Sequence, residues 1–73
     1  MTTHYEIRVR GHIVGQLTER FDGWRVINLP NGEATLTGPV VDQAALHGVL
    51  IRIRNLGLPL IAVNPIGAIG RSS

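Results

Sequence analysis

Residues 42–59, DQAALHGVLIRIRNLGLP, hold a start signal, a sustained helical period and a stop signal in one uninterrupted run. Asp42 is placed to accept the free backbone amides of a first helical turn, and its charge suits the positive end of the helix dipole. Val41 before it and Leu46 four residues after it have the spacing of a hydrophobic staple. Leu46, Val49, Leu50, Ile53 and Leu56, with Ala45, fall on one face and form the stripe that a core would bury. Gly57 suits the left-handed position that closes a helix, Leu58 can fold back on Ile53 as in a Schellman ending, and Pro59 forbids continuation. Arg52 and Arg54 lie where the dipole favours positive charge. The run predicts one well-made helix on which the rest of the chain must pack.

On its N-terminal side, EATLTG over 33–38 has the composition of a strand that Gly38-Pro39 is expected to break, and WRVINL over 24–29 reads as a preceding strand. Between them, Leu29-Pro30-Asn31-Gly32 is a hairpin signal: proline presets the first central residue of a type I turn, and Asn-Gly supplies positive φ. HYEIRVR over 4–10 alternates Tyr5, Ile7 and Val9 against Glu6, Arg8 and Arg10, the pattern of a strand with one buried and one wet face. In HIVGQLTERFDG over 12–23, Ile13, Leu17 and Phe21 recur at four-residue steps. They would line one side of a short helix interrupted by Gly15, and the spacing alone leaves open whether that helix forms. After residue 59, LIAV over 60–63 is continuously apolar, which suits a strand covered on both faces and ended by Asn64-Pro65. Residues 67–73 are expected to form a loose tail, with 1–66 as a single domain.

The order strand, degenerate helix, strand, hairpin, strand, helix, strand is the split β-α-β pattern of a small ferredoxin-like α+β domain. Its four-stranded antiparallel sheet would hold the first and third strands in the middle, with one well-defined helix and a short first one. A single good helix leaves much of one sheet face uncovered. Ile27, Leu29, Leu60 and Ala62 are candidates for apolar surface on that side, and His47 and Ile51 for a second patch on the outer side of the helix. The plainer account of Ile51 is one exposed isoleucine among small residues, which is common. A chain of 73 residues buries only about 60% of its unfolded surface. With no cysteine, disulfides and thiolate metal sites are excluded as reinforcement, and association with a second copy, a dimer first, is the expectation.

Net charge is +2 and all seven basic residues are arginine. A nucleic-acid partner normally shows as a clustered basic face, and this surplus is small. Ferredoxin-like sheets do bind RNA by stacking bases on aromatic side chains, and Arg8, Arg10 and Arg25 could line such a face. The stacking platform is lacking, because Tyr5 falls with the buried set and Phe21 and Trp24 have core explanations, so nucleic acid is disfavoured. No run approaches a membrane span, and MTTHYEIRVR lacks the apolar stretch of a signal peptide, which makes a cytoplasmic location the simple expectation.

Enzymatic chemistry finds little support in the residue types. Ser72 and Ser73 lie in the tail, Thr35 and Thr37 are strand residues, and the acids Glu6, Glu19, Asp22, Glu33 and Asp42 are scattered. The glycine spacings Gly11 to Gly15 and Gly67 to Gly70 match no phosphate loop or dinucleotide fingerprint. His4, His12 and His47 are too dispersed for a metal cluster. With Met1 removed, Thr2-Thr3-His4 would carry histidine third from a free amine, an arrangement able to wrap copper or nickel, although a chance tripeptide is the plainer account.

The run TGPVVDQAALHGVLIRIRNLGLPLIAV, together with YEIRVRGH, the FDG before strand two and the PNG turn, resembles a family of short, stand-alone, uncharacterised bacterial proteins whose usual run is TGPVVDQAALHGLLxRIRDLGLPLISV. Asn55 stands where that family often has aspartate, and Ala62 where it often has serine. The resemblance implies a shared fold and brings no activity, cofactor or site with it. A looser likeness, through Gly15-Gln16-Leu17, is to small-molecule-sensing domains of the ACT type, and implies a ligand at a seam between two copies. The expectation is a non-enzymatic, cofactor-free, self-associating interaction or regulatory module able to take a protein partner. Ligand sensing is the alternative, and RNA binding on the arginine-bearing face the second alternative.

Overall fold

The computed structural model describes residues 2–66. Strand β1 spans Thr3–Arg10, β2 Arg25–Asn28, β3 Glu33–Val40 and β4 Leu60–Ile66, with helix α1 at Gln43–Asn55 and a 3₁₀ helix at Gly15–Phe21. The strands form one sheet in the order β2-β3-β1-β4, and every neighbouring pair is antiparallel. The result is a small α+β architecture with a four-stranded antiparallel sheet, one main helix, and the first and third strands in the middle. The expected tail at 67–73 lies outside the described residues.

Helix α1 begins and ends as its residues dictate. The Ala45 N–H donates to Asp42 Oδ1 at 2.8 Å, which satisfies one of the amides that a helix start leaves unpaired. At the other end Gly57 has φ of 76°. Its N–H donates to the Arg54 carbonyl at 3.0 Å and the Leu58 N–H to the Ile53 carbonyl at 3.3 Å, the paired bonds of a Schellman ending. The buried stripe is narrower than the spacing predicts. Val49 and Ile53 are buried, Leu46, Leu50 and Leu56 are half-buried, and Ala45 is exposed. Val41 stays 63% exposed, so a staple against Leu46 shields little.

Period-two alternation divides the sheet cleanly. Register pairs Ile7 with Leu36 and Val9 with Ala34, and these four join Ile13, Phe21, Val49 and Ile53 in the core. The 3₁₀ helix closes one end of that core. Gly15 opens it and does not interrupt it, while Ile13 and Phe21 are buried on either side of half-buried Leu17. Seven residues are too few for a self-supporting α-helix, and packing of the apolar side chains fixes a tighter turn instead. Asn28 secures the approach to it. Its Oδ1 accepts the Ile13 N–H at 2.8 Å and its Nδ2 donates to the Ile13 carbonyl at 3.0 Å, so one side chain stands in for a strand along that loop.

Both proline breaks expected from the sequence are absent. β3 continues through Gly38-Pro39 to Val40. β2 pairs with β3 only as far as Thr37, so beyond that point no ladder on that side asks Pro39 for the N–H it lacks. Gly38 is there for a different reason, since a Cβ at that position would lie 2.5 Å from Trp24 Cδ2. The indole rests on the backbone, and glycine permits the approach. β4 likewise continues through Pro65 to Ile66, which an edge strand tolerates. The same edge position corrects the reading of LIAV as covered on both faces, because Leu60 and Ile61 are exposed. β2 is also shorter than WRVINL, with Trp24 and Leu29 flanking it.

Candidate functional site

The face of the sheet turned away from α1 follows from register. His4, Glu6, Arg8 and Arg10 of β1 share it with Glu33, Thr35, Thr37 and Pro39 of β3, Arg25 and Ile27 of β2, and Ala62, Asn64 and Ile66 of β4. Arg8, Arg10 and Arg25 therefore do lie on one face. They do not act as a uniform cationic surface: Arg8 Nη1 lies 3.7 Å from Glu33 Oε1, Glu33 stands opposite Arg10, and Glu6 stands in the same row. Tyr5 belongs to the opposite face by alternation, Phe21 is buried in the core, and Trp24 is half-buried against Gly38. Thr35, on the open face, is only 6% exposed, flanked as it is by Arg8 and Ile27 on the neighbouring strands.

The six residues picked out for self-association separate into different places. Ile27, 46% exposed, and Ala62 lie on the open face. Leu29 is half-buried at the hairpin, where its carbonyl lies 2.7 Å from His12 Nε2, so it is no part of that face. Leu60 pairs with Val9, which places it on the helix-covered side, contrary to the expectation. Irregular pairing between Arg8 and Val9 is what shifts the parity of β4 there. His47 and Ile51 lie on the outer side of α1, both exposed.

Three of those positions, His47, Ile51 and Leu60, line one connected surface. A groove of about 460 Å³ runs between the end of α1 and the start of β4, lined by Leu50, Ile53, Leu58, Pro59 and Leu60, with Arg54 its charged group. A second hollow, lined by His47, Leu50, Ile51 and Arg54, shares Leu50 and Arg54 with it. Ile51, Leu60 and Ile61 are 54%, 50% and 42% exposed, so the surface extends from the outer side of α1 onto the edge strand. Ile61, Leu50, Leu58 and Pro59 were not legible as parts of it. The available signal was the Schellman ending, which folds Leu58 back against α1 and leaves Pro59 beside it.

A smaller recess of about 230 Å³ lies between the start of β1 and the start of α1, lined by Thr3, Tyr5, Val40, Val41, Asp42, Gln43, Leu46 and His47. It is the more polar of the two, and the Asp42 carboxylate in it is already held by the Ala45 amide. Among the described residues, no group of three or more His, Asp or Glu side chains is arranged to hold a metal ion. Thr3 and His4 are paired in the sheet, opposite Val40 and Pro39 of β3, with Ile66 on the other side of His4. Wrapping a metal with the backbone of Thr2-Thr3-His4 would require withdrawing that end of β1 from the ladder. Among the described residues, no helix is long and apolar enough to cross a membrane.

Compared with known protein families, residues 4–64 match one described as Domain of unknown function (DUF8691). No curated protein and no solved structure matches the chain. The matched span runs from the second residue of β1 to Asn64 in β4 and takes in the hairpin, α1 and the groove between α1 and β4. On that match, the chain belongs to the DUF8691 family.

Proposed function

We propose that this domain is a non-enzymatic interaction module, of ferredoxin-like topology with a 3₁₀ turn in place of the first helix, that works as a self-associated dimer. The strand order and the all-antiparallel pairing support the topology. The observation that carries the association is the apolar surface from Ile51 across the groove to Leu60, with exposed Ile61 next to Leu60 in the chain. Large contiguous apolar patches mark association or ligand sites, and a domain this small gains from sharing its core with a second copy. Two of the five acids are engaged locally, Asp42 as a cap and Glu33 beside Arg8, which favours a binding role over acid–base catalysis. Among the described residues, the open face carries no aromatic side chain and sets two carboxylates among its arginines, which weighs against RNA.

Native mass spectrometry of the untagged protein at micromolar concentration tests the proposal. A dimer without added mass is the expected result. A bare monomer overturns self-association. A dimer retaining a few hundred extra daltons would shift the reading to ligand sensing, for which the recess beside Tyr5 and His47 is the place to look.

A further inference from the structure

Within the self-association reading, on which this step rests, the geometry points to β4 as the strand that joins the two copies. We propose that β4 pairs antiparallel with β4 of a second copy about a twofold axis near Ala62. The sheet then continues through eight strands, and the two α1 helices lie side by side on one face.

The two ends of the sheet are not equivalent as partners. β2 has four residues, carries Arg25, and has Ile13 held against Asn28. β4 has seven residues, LIAVNPI, none of them charged. Natural edge strands are normally blunted by charge, shortness, cover or a bulge, and β4 has Pro65 near its far end and the irregular pairing with Arg8 and Val9 near its start. Pairing centred on Ala62 stays clear of that proline and sets Ala62 opposite its own counterpart. A small residue at the axis allows the two backbones to approach.

Twofold symmetry requires a surface complementary to itself, and this one carries both shapes. Leu50, Ile53 and Leu58 form the hollow, Ile51 stands out beside it, and Ile61 is exposed on the strand next to Leu60. Direction also fits. β3 and β4 both run antiparallel to β1, so α1, which connects them, runs back against β4. An antiparallel twofold therefore brings the C-terminal half of one α1, with Arg54, toward the N-terminal end of the other, which carries Asp42, while Arg52 is turned to the 3₁₀ helix and donates to the Arg20 carbonyl at 2.9 Å. Opposite charges and opposed dipoles meet there. Thirteen helical residues span about 20 Å, and the seven residues of β4 span about 23 Å, so helix and strand are matched in length.

The chain has no cysteine, which makes cross-linking a direct test. Directly opposed residues in an antiparallel pair have Cα atoms about 4.5–5.5 Å apart, within disulfide range. Ala62→Cys is expected to give a covalent dimer as the main species on mild oxidation, and Thr18→Cys on the exposed 3₁₀ turn is expected not to. Ile61→Lys should weaken the native dimer by about tenfold or more, because two lysines enter across the axis, with far-UV circular dichroism unchanged. A wild-type dimer that neither cross-links through Ala62→Cys nor responds to Ile61→Lys would overturn β4 pairing and leave self-association standing. A monomeric wild type would overturn both. If Ile61→Lys fails to fold, the cross-link alone decides.

Discussion

The two edges of the sheet show how differently one chain treats equivalent exposed backbone. At β2 the strand is short, Arg25 faces water, Trp24 lies on Gly38 just beyond the strand, and Asn28 holds the Ile13 backbone with two hydrogen bonds. At β4 the strand is nearly twice as long and uncharged, and its start opens onto an apolar groove. One edge is closed by the molecule itself and the other is left for something else to close. Since an unpaired strand edge is a template for further pairing, the contrast locates where association is physically cheap.

The comparison can be broken by damaging the closed edge. Phe21→Ala should have the largest effect, about 3–5 kcal/mol for emptying a fully buried aromatic site. A small domain has little more than that in total, so the urea midpoint followed by Trp24 fluorescence should fall steeply. A loss below about 1 kcal/mol would mean that the 3₁₀ helix is not part of the core. Asn28→Ala should cost about 1–3 kcal/mol by leaving the Ile13 amide and carbonyl without partners. Its specific signature is faster hydrogen exchange at Ile13 and along β2, with β4 unaffected, and uniform acceleration across the sheet would show that the Asn28 clamp is not what closes that edge. Asp42→Ala sharpens the contrast as a control on α1. Loss of the cap should cost about 1 kcal/mol, seen as a lower thermal midpoint, while the relative exchange of β2 and β4 stays the same.

The same contrast explains which parts of the candidate surface could be read in advance. Ile51 was visible because helical period fixes the side on which each residue lies. Ile61 was missed because an unbroken run of apolar residues reads as doubly buried, although at the edge of a sheet the same run is half exposed. The side of Leu60 could not be read from alternation, because the irregular pairing at Arg8 and Val9 shifts parity, and a single shift sends a side chain to the opposite face. Gly38-Pro39 and Asn64-Pro65 read locally as stops. A proline is harmful only where a neighbouring strand needs its N–H, and neighbours are a tertiary matter.

By itself the sequence determined α1 from its Asp42 cap to its Gly57 ending, the Pro30-Asn31-Gly32 hairpin, and the alternation that divides β1 into two faces. All of these rest on interactions between residues close along the chain, or on a period that one element carries alone. Only the tertiary structure decided that the segment around Leu17 forms a 3₁₀ helix, that Trp24 rests on Gly38, that Asn28 clamps Ile13, and that β4 is an open edge beside a groove. Each of these depends on which residue from a distant part of the chain arrives next to it, and no local pattern encodes that.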